Sequence, residues 1–142
     1  MIDFQVPAQD LINIDVEKSL TEDIQTGDIT ATLLENNNEN GYIIAKEAAV
    51  ICGAPWVNAC FKSLDPDIQI SWLVEEGQYV DANTVVVTFC GKARALLSAE
   101  RSALNFLQTL SATATQTAQF AKHLAHSKTR VLDTRKTLPG LR

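Results

Sequence analysis

The residues best suited to chemistry gather near the end of the chain. Thr134-Arg135-Lys136 follows the short apolar run Val131-Leu132 and precedes a break at Pro139-Gly140, the order expected where a strand gives way to a loop. From residue 128 onward Lys128, Arg130, Arg135, Lys136 and Arg142 face only Asp133, so the preceding residues carry more than the whole net charge of −5. An acidic chain that concentrates its cations in one segment is suited to a local anion site, not to a broadly basic surface. Arginine brings a planar fork of donors that matches a carboxylate or phosphate, and lysine brings a compact point charge. One more cation stands apart, in Glu100-Arg101-Ser102. Spacing alone favours an Arg101 that either pairs with a nearby acid or lies on the solvated face, an exposed pair being worth about 0–1 kcal/mol. The alternative is that its guanidinium meets a carboxylate or phosphate.

Other groups invite chemical readings and mostly resist them. Glu22 and Asp23 are adjacent, so their side chains diverge on a helix or strand, and Asp28 is as easily a turn or cap residue. His123 and His126 lie three apart without a carboxylate near them in sequence, which fits a solvated helix end better than a metal site. Cys52, Cys60 and Cys90 lie in apolar surroundings with no zinc or redox spacing, and read as inert buried thiols.

These groups need a scaffold, and the composition supplies one. The chain has 142 residues, 46% of them hydrophobic and 20% charged, with a pI near 4.9. That suits an ordinary globular chain of about one domain with a real core. An acidic surface excludes general nucleic-acid binding, which requires a basic face. The opening Met1-Ile2-Asp3-Phe4-Gln5 lacks the pattern of a signal peptide, and no apolar run approaches the roughly 18–20 residues that span a bilayer. The expected location is cytoplasmic, without nucleic-acid or membrane partners.

Periodicity then places the elements. Leu11, Ile12, Val16 and Leu20 predict an amphipathic helix over 8–20, followed by a loop through Gly27 to Thr30. After a polar turn at 35–41, Tyr42–Glu47 predicts a strand. Trp56, Val57, Cys60, Phe61 and Leu64 form one helical stripe, with the aromatics read as core. Ile68, Ile70 and Trp72 alternate with polar residues, and Thr84–Phe89 is β-branched and apolar, so both read as strands of a small antiparallel sheet. Ala95–Leu110 predicts a helix with Leu97, Leu104, Leu107 and Leu110 on its apolar stripe. Ser111–Thr117 allows close packing or a break, after which a second helix is expected to reach His126 and a strand to begin at Thr129.

Glu100–Gln108 together with Asp133–Arg142 resembles the quinolinate phosphoribosyltransferase family, also called nicotinate-nucleotide pyrophosphorylase (carboxylating). Glu22-Asp23, Gly27-Asp28-Ile29-Thr30 and Glu76-Gly77 followed by Val80 fit the same family, so the likeness covers almost the whole chain. One departure is Ser111-Ala112-Thr113-Ala114-Thr115, where the family usually reads Ser-Gly-Ile-Ala-Thr; the expected effect is a small shift of the helix break.

The resemblance implies an α/β fold: residues 1–110 as an α+β N-terminal domain with a small, largely antiparallel sheet, and residues 111–142 as the first helix and strand of an α/β barrel. Family members run to roughly twice this length, and their later part supplies a His-Arg pair, a further Lys, acidic metal ligands and glycine-rich phosphate loops. The chain is therefore expected to be an N-terminal portion, inactive alone. The implied reaction joins quinolinate to 5-phosphoribosyl 1-pyrophosphate, releasing pyrophosphate and carbon dioxide and giving nicotinate mononucleotide for NAD synthesis. Mg2+ is implied on the pyrophosphate, with its ligands outside this chain. Thr134 and Arg135 are implied to contact the quinolinate carboxylates, Lys136 phosphate or carboxylate oxygens, and Arg101 the site of a neighbouring subunit in a homodimer or larger homo-oligomer. Arg142 is left out of the site, and no residue is assigned a catalytic role. The alternatives are a related phosphoribosyltransferase acting on another base, or a nonenzymatic dimerisation or binding module with a lipoyl-like hairpin at Ile68–Phe89. That hairpin carries no lysine at its turn.

Overall fold

Most of the apolar stripes in the sequence find a partner, and at the first strand and the last helix the departures from the expected bounds go with contacts made far away in the chain. The computed structural model describes residues 7–25, 27–134 and 136. The first helix, α1 (Gln9–Ile24), buries Ile12, Val16 and Leu20. It runs past Leu20 into the stretch expected to be loop, whereas Leu11, expected on the apolar stripe, is 57% exposed. A four-residue helix, α2 (Ile29–Thr32), follows.

The next strand, β1 (Asn38–Ala45), begins within the polar run expected to be a turn. Its pairing explains this: Asn38 to Ala45 run antiparallel to Lys92 back to Thr84, with a bulge between Ile43 and Ile44. Ladder hydrogen bonds along the full length of a partner strand override the weak strand preference of Asn and Gly. A short β2 (Ala49–Val50) leads into α3 (Ala54–Leu64), then come β3 (Gln69–Trp72), β4 (Tyr79–Val80) and β5 (Thr84–Lys92). The order in the three-stranded sheet is β1-β5-β3, and β2 pairs with β4, all antiparallel as expected. The alternation at Ile68–Trp72 is kept: Ile68 is fully buried, Ile70 and Trp72 half-buried, and Gln69 and Ser71 exposed. In α3 the expected stripe is realised as buried Val57, Cys60 and Phe61, while Trp56 stacks on Phe106 at 6.4 Å and donates to Asp15.

The start of α3 depends on a distant acid. Gly53 is its N-cap, with φ of 117°, and has no side chain to receive the free N–H groups of the first turn. Glu76, from the turn before β4, reaches back instead and accepts from Gly53 N at 2.7 Å and Ala54 N at 3.1 Å. A negative charge here also suits the positive end of the helix. Glu76→Ala leaves both donors without this partner and is expected to cost about 1–3 kcal/mol in urea unfolding. Glu76→Gln should recover part of the loss.

All of this lies against α4 (Ala93–Leu124), one helix of 32 residues. Of the two readings of Ser111–Thr117, close packing and not a break is what is observed. The hydroxyls of Thr113, Thr115 and Thr117 donate to carbonyls four residues back at 3.1, 2.7 and 2.8 Å, so they are satisfied along the helix without interrupting it. Ser111 and Thr115 also accept from the backbone N–H groups of Cys52 and Val50, at 3.0 and 2.9 Å. The two hydroxyls thus serve β2 and the residues just after it, taking backbone N–H groups that do not pair with β4. The face of α4 turned to the core is formed by Ala99, Ser102, Ala103, Leu107 and Ser111; Leu97, Leu104 and Leu110 are only half-buried. At the start of α3 the close approach is made by Gly53 itself, where a Cβ would stand 3.1 Å from Leu110 Cδ1 and 3.5 Å from Leu107 Cα.

The strand expected from Thr129 does not form. Residues 129–134 are exposed and without regular structure, for the reason that a strand needs a neighbour to take its N–H and C=O groups. The fold class is thus the expected mixture of helices and a small antiparallel sheet, with no closed barrel among the described residues.

Candidate anion-binding site

Arg101 is held where the end of α1 and the loop after it meet α4. Three polar contacts cross this seam. The Ser19 hydroxyl donates to Ser102 Oγ at 2.9 Å, Arg101 Nη1 donates to Asp23 Oδ1 at 2.7 Å, and the Ser98 hydroxyl donates to Asp28 Oδ2 at 2.7 Å. The spacing makes the seam regular: Ser19 and Asp23 are four apart on α1, as are Ser98 and Ser102 on α4, so each pair shares a helix face. Asp28 also caps α2, its Oδ1 accepting from Ala31 N–H at 3.0 Å, which bears out its reading as a cap. That N–H first, and the Ser98 hydroxyl second, hold the Asp28 carboxyl below the usual carboxylate range. The contribution of this cap is therefore present at neutral pH and lost as pH falls through the lowered value.

Beside the seam is a cleft of about 540 Å³, lined by Asp23, Gly27, Asp28, Glu100, Arg101 and Gln108 among others. Its acids outnumber its cation, yet they differ in reach. Both Asp28 oxygens are engaged by Ala31 and Ser98, whereas Asp23 faces the guanidinium directly. The Arg101 side chain remains 75% exposed and that of Asp23 only 22%. The pairing anticipated for Arg101 from its spacing is thus observed, and it still leaves much of the fork open to solvent.

The other expected site residues are placed differently. Thr134 and Lys136 are exposed in the segment after α4, joined by a long contact of 3.4 Å from Lys136 N to Thr134 Oγ1. Neither lines the Arg101 cleft. Arg135 and Arg142 lie outside the described residues.

The remaining candidates are structural. Burial pushes the Cys60 thiol up to about 12. Burial, with the neighbouring Glu76 carboxylate, pushes Cys52 up to about 11. Both stay protonated at neutral pH and make poor nucleophiles. Of the three cysteines only Cys60 is fully buried; Cys52 and Cys90 are half-buried. His123 and His126 are exposed around the end of α4, where His123 Nδ1 contacts Gln119 O at 2.7 Å, the solvated helix end expected of them. Among the described residues no group of three or more His, Cys, Asp or Glu is placed to hold a metal ion. No described helix is long and apolar enough to cross a membrane.

Comparison with known proteins follows the same outline. Residues 28–111 match the family model for the N-terminal domain of quinolinate phosphoribosyl transferase, and residues 113–142 match the model for its C-terminal domain. A probable nicotinate-nucleotide pyrophosphorylase (carboxylating) of Synechocystis is 43% identical over 128 residues, covering 89% of this chain and 43% of that protein. The probable enzyme of the same name from Bacillus subtilis is 36% identical over 122 residues, covering 85% of this chain and 42% of the relative. Among solved structures, a nicotinate-nucleotide pyrophosphorylase from Francisella tularensis superposes with a TM-score of 0.91 at 44% identity, covering 96% of this chain and 49% of that one. The chain therefore spans about half the length of the proteins it matches.

Proposed function

Because the chain belongs to the quinolinate phosphoribosyltransferase family, we propose that it is the N-terminal portion of an enzyme that converts quinolinate and 5-phosphoribosyl 1-pyrophosphate to nicotinate mononucleotide, pyrophosphate and carbon dioxide. The observation that carries this reading is the succession of both family matches along one chain, over residues 28–111 and then 113–142. In this reading residues 1–110 form the first domain and residues 111–142 open the second. The enzyme works in the cytoplasm as a homodimer or larger homo-oligomer.

The chemistry asks for fixed cations, since both substrates are anionic, and charge organised in advance stabilises developing negative charge better than water does. Arg135 and Thr134 take the quinolinate carboxylates, Lys136 takes phosphate or carboxylate oxygens, and Arg101 serves the site of a neighbouring subunit. The exposure of the Arg101 guanidinium supports that role. Magnesium on the pyrophosphate belongs to the same reading, with its ligands in the later part of the enzyme.

The test begins with the 142-residue chain itself. Calorimetric titration with quinolinate should give weak binding or none, and incubation with both substrates should give no nicotinate mononucleotide. Product formed by this chain alone would overturn the proposal that it is one part of the catalytic unit.

A further inference from the structure

We infer that Asp23 is a positioning residue for Arg101, fixing where the guanidinium stands while leaving donors for an anionic ligand. This rests on the substrate-binding role proposed above for Arg101. A free arginine side chain samples many rotamers, and an anion that binds it must first immobilise it. Here one of the two partners is anchored. The Asp23 side chain is 22% exposed, at the end of a helix whose Ile12, Val16 and Leu20 are buried. Arg101, 75% exposed, is the long and mobile partner. The contact at 2.7 Å uses Nη1, while a guanidinium carries five N–H donors. A pair made through one nitrogen can thus orient the fork without exhausting it.

The contacts point to Asp23 among the three acids of the cleft. Glu100 and Asp28 also lie there, but the ion pair to Arg101 comes from Asp23, and the Ala31 N–H and the Ser98 hydroxyl engage the Asp28 oxygens. Ser98 and Ser102 flank Arg101 along α4 and tie that helix to Asp28 and to Ser19. The backbone beneath Arg101 is therefore fixed independently of Asp23, and Asp23 acts on the side chain. Two effects oppose each other when a ligand arrives: the Asp23 charge repels it, and the prepaid ordering of Arg101 favours it. The Asp23 charge is partly compensated by the guanidinium it holds at 2.7 Å, so the ordering of Arg101 prevails.

Steady-state kinetics of the complete enzyme tests this with Asp23→Asn, Asp23→Glu, Arg101→Ala and the Asp23→Asn/Arg101→Ala double variant. Asp23→Asn is expected to raise, by about five- to tenfold, the KM of whichever substrate Arg101→Ala affects, with kcat changed less than about twofold. Asp23→Glu should restore most of the loss. The double variant should be no worse than Arg101→Ala, because a positioning residue has nothing to do once its target is gone. An additive double variant would mark a merely structural role and overturn the inference, as would an unchanged or lowered KM in Asp23→Asn. If Arg101→Ala itself leaves both KM values unchanged, it is the proposed role of Arg101 that fails, and the inference falls with it.

Discussion

On the proposed reading, Arg135→Ala in the complete enzyme is expected to raise the KM for quinolinate by about 30-fold or more, since truncating one partner of a desolvated charge pair costs about 2–5 kcal/mol. Quinolinate presents carboxylates on a rigid ring, and a guanidinium can take a carboxylate through two parallel N–H donors. Arg135→Lys keeps the charge but loses the fork, so it should recover only part of the affinity. Lys136→Ala should act more evenly on the two substrates, since a point charge suits phosphate and carboxylate alike. The measurement is a pair of KM values, one for each substrate. A quinolinate KM unchanged in Arg135→Ala would remove Arg135 from the carboxylate contact and would favour a related enzyme acting on another base.

What could be read from the residues, and what could not, divides along the range of the interactions. Periodicity found the core faces of α1 and α3 and the strands at Ile70 and Val86, because burial of a stripe is a local demand that the sequence must meet. Bounds set by a partner were missed. Asn38 to Gly41 look like a turn in isolation and become strand because they lie opposite Lys92 back to Phe89. Ser111 and Thr115 allow either a helix break or close packing, and the choice falls to packing because they hold the backbone of Val50 and Cys52 from within an unbroken helix. At the candidate site, spacing allowed that Arg101 would meet an acid, but not which one. The partner is 78 positions away, and the faint signal for it was the shared four-residue spacing of Ser19 with Asp23 and Ser98 with Ser102. The segment around Thr134 and Lys136 was legible only through the family motif, since its expected strand has no neighbour among the described residues to give it form.

A second large effect is expected at the centre of the fold. Phe61 is 3% exposed, and its ring lies 4.2 Å from that of Phe89, centroid to centroid, tilted by 31°. It joins α3 to β5, the central strand of the larger sheet, and so ties the helical layer to the strands. Phe61→Ala removes that burial and opens a cavity, at a cost of about 3–5 kcal/mol, a large fraction of the 5–15 kcal/mol typical of a whole domain. Phe61→Leu fills more of the space but loses the aromatic pair, and should cost less. Phe120, on the far part of α4 and 62% exposed, provides the contrast: Phe120→Ala should change stability by no more than about 0.5 kcal/mol. Urea unfolding of the three variants, followed by circular dichroism, separates these outcomes. Equal losses at Phe61 and Phe120 would deny that α3 and β5 share the core. The result bears on the site, because α3 packs on α4 and α4 carries Arg101: a core loosened at Phe61 should free α4 to shift against α1 and weaken the Asp23–Arg101 contact without either residue being changed.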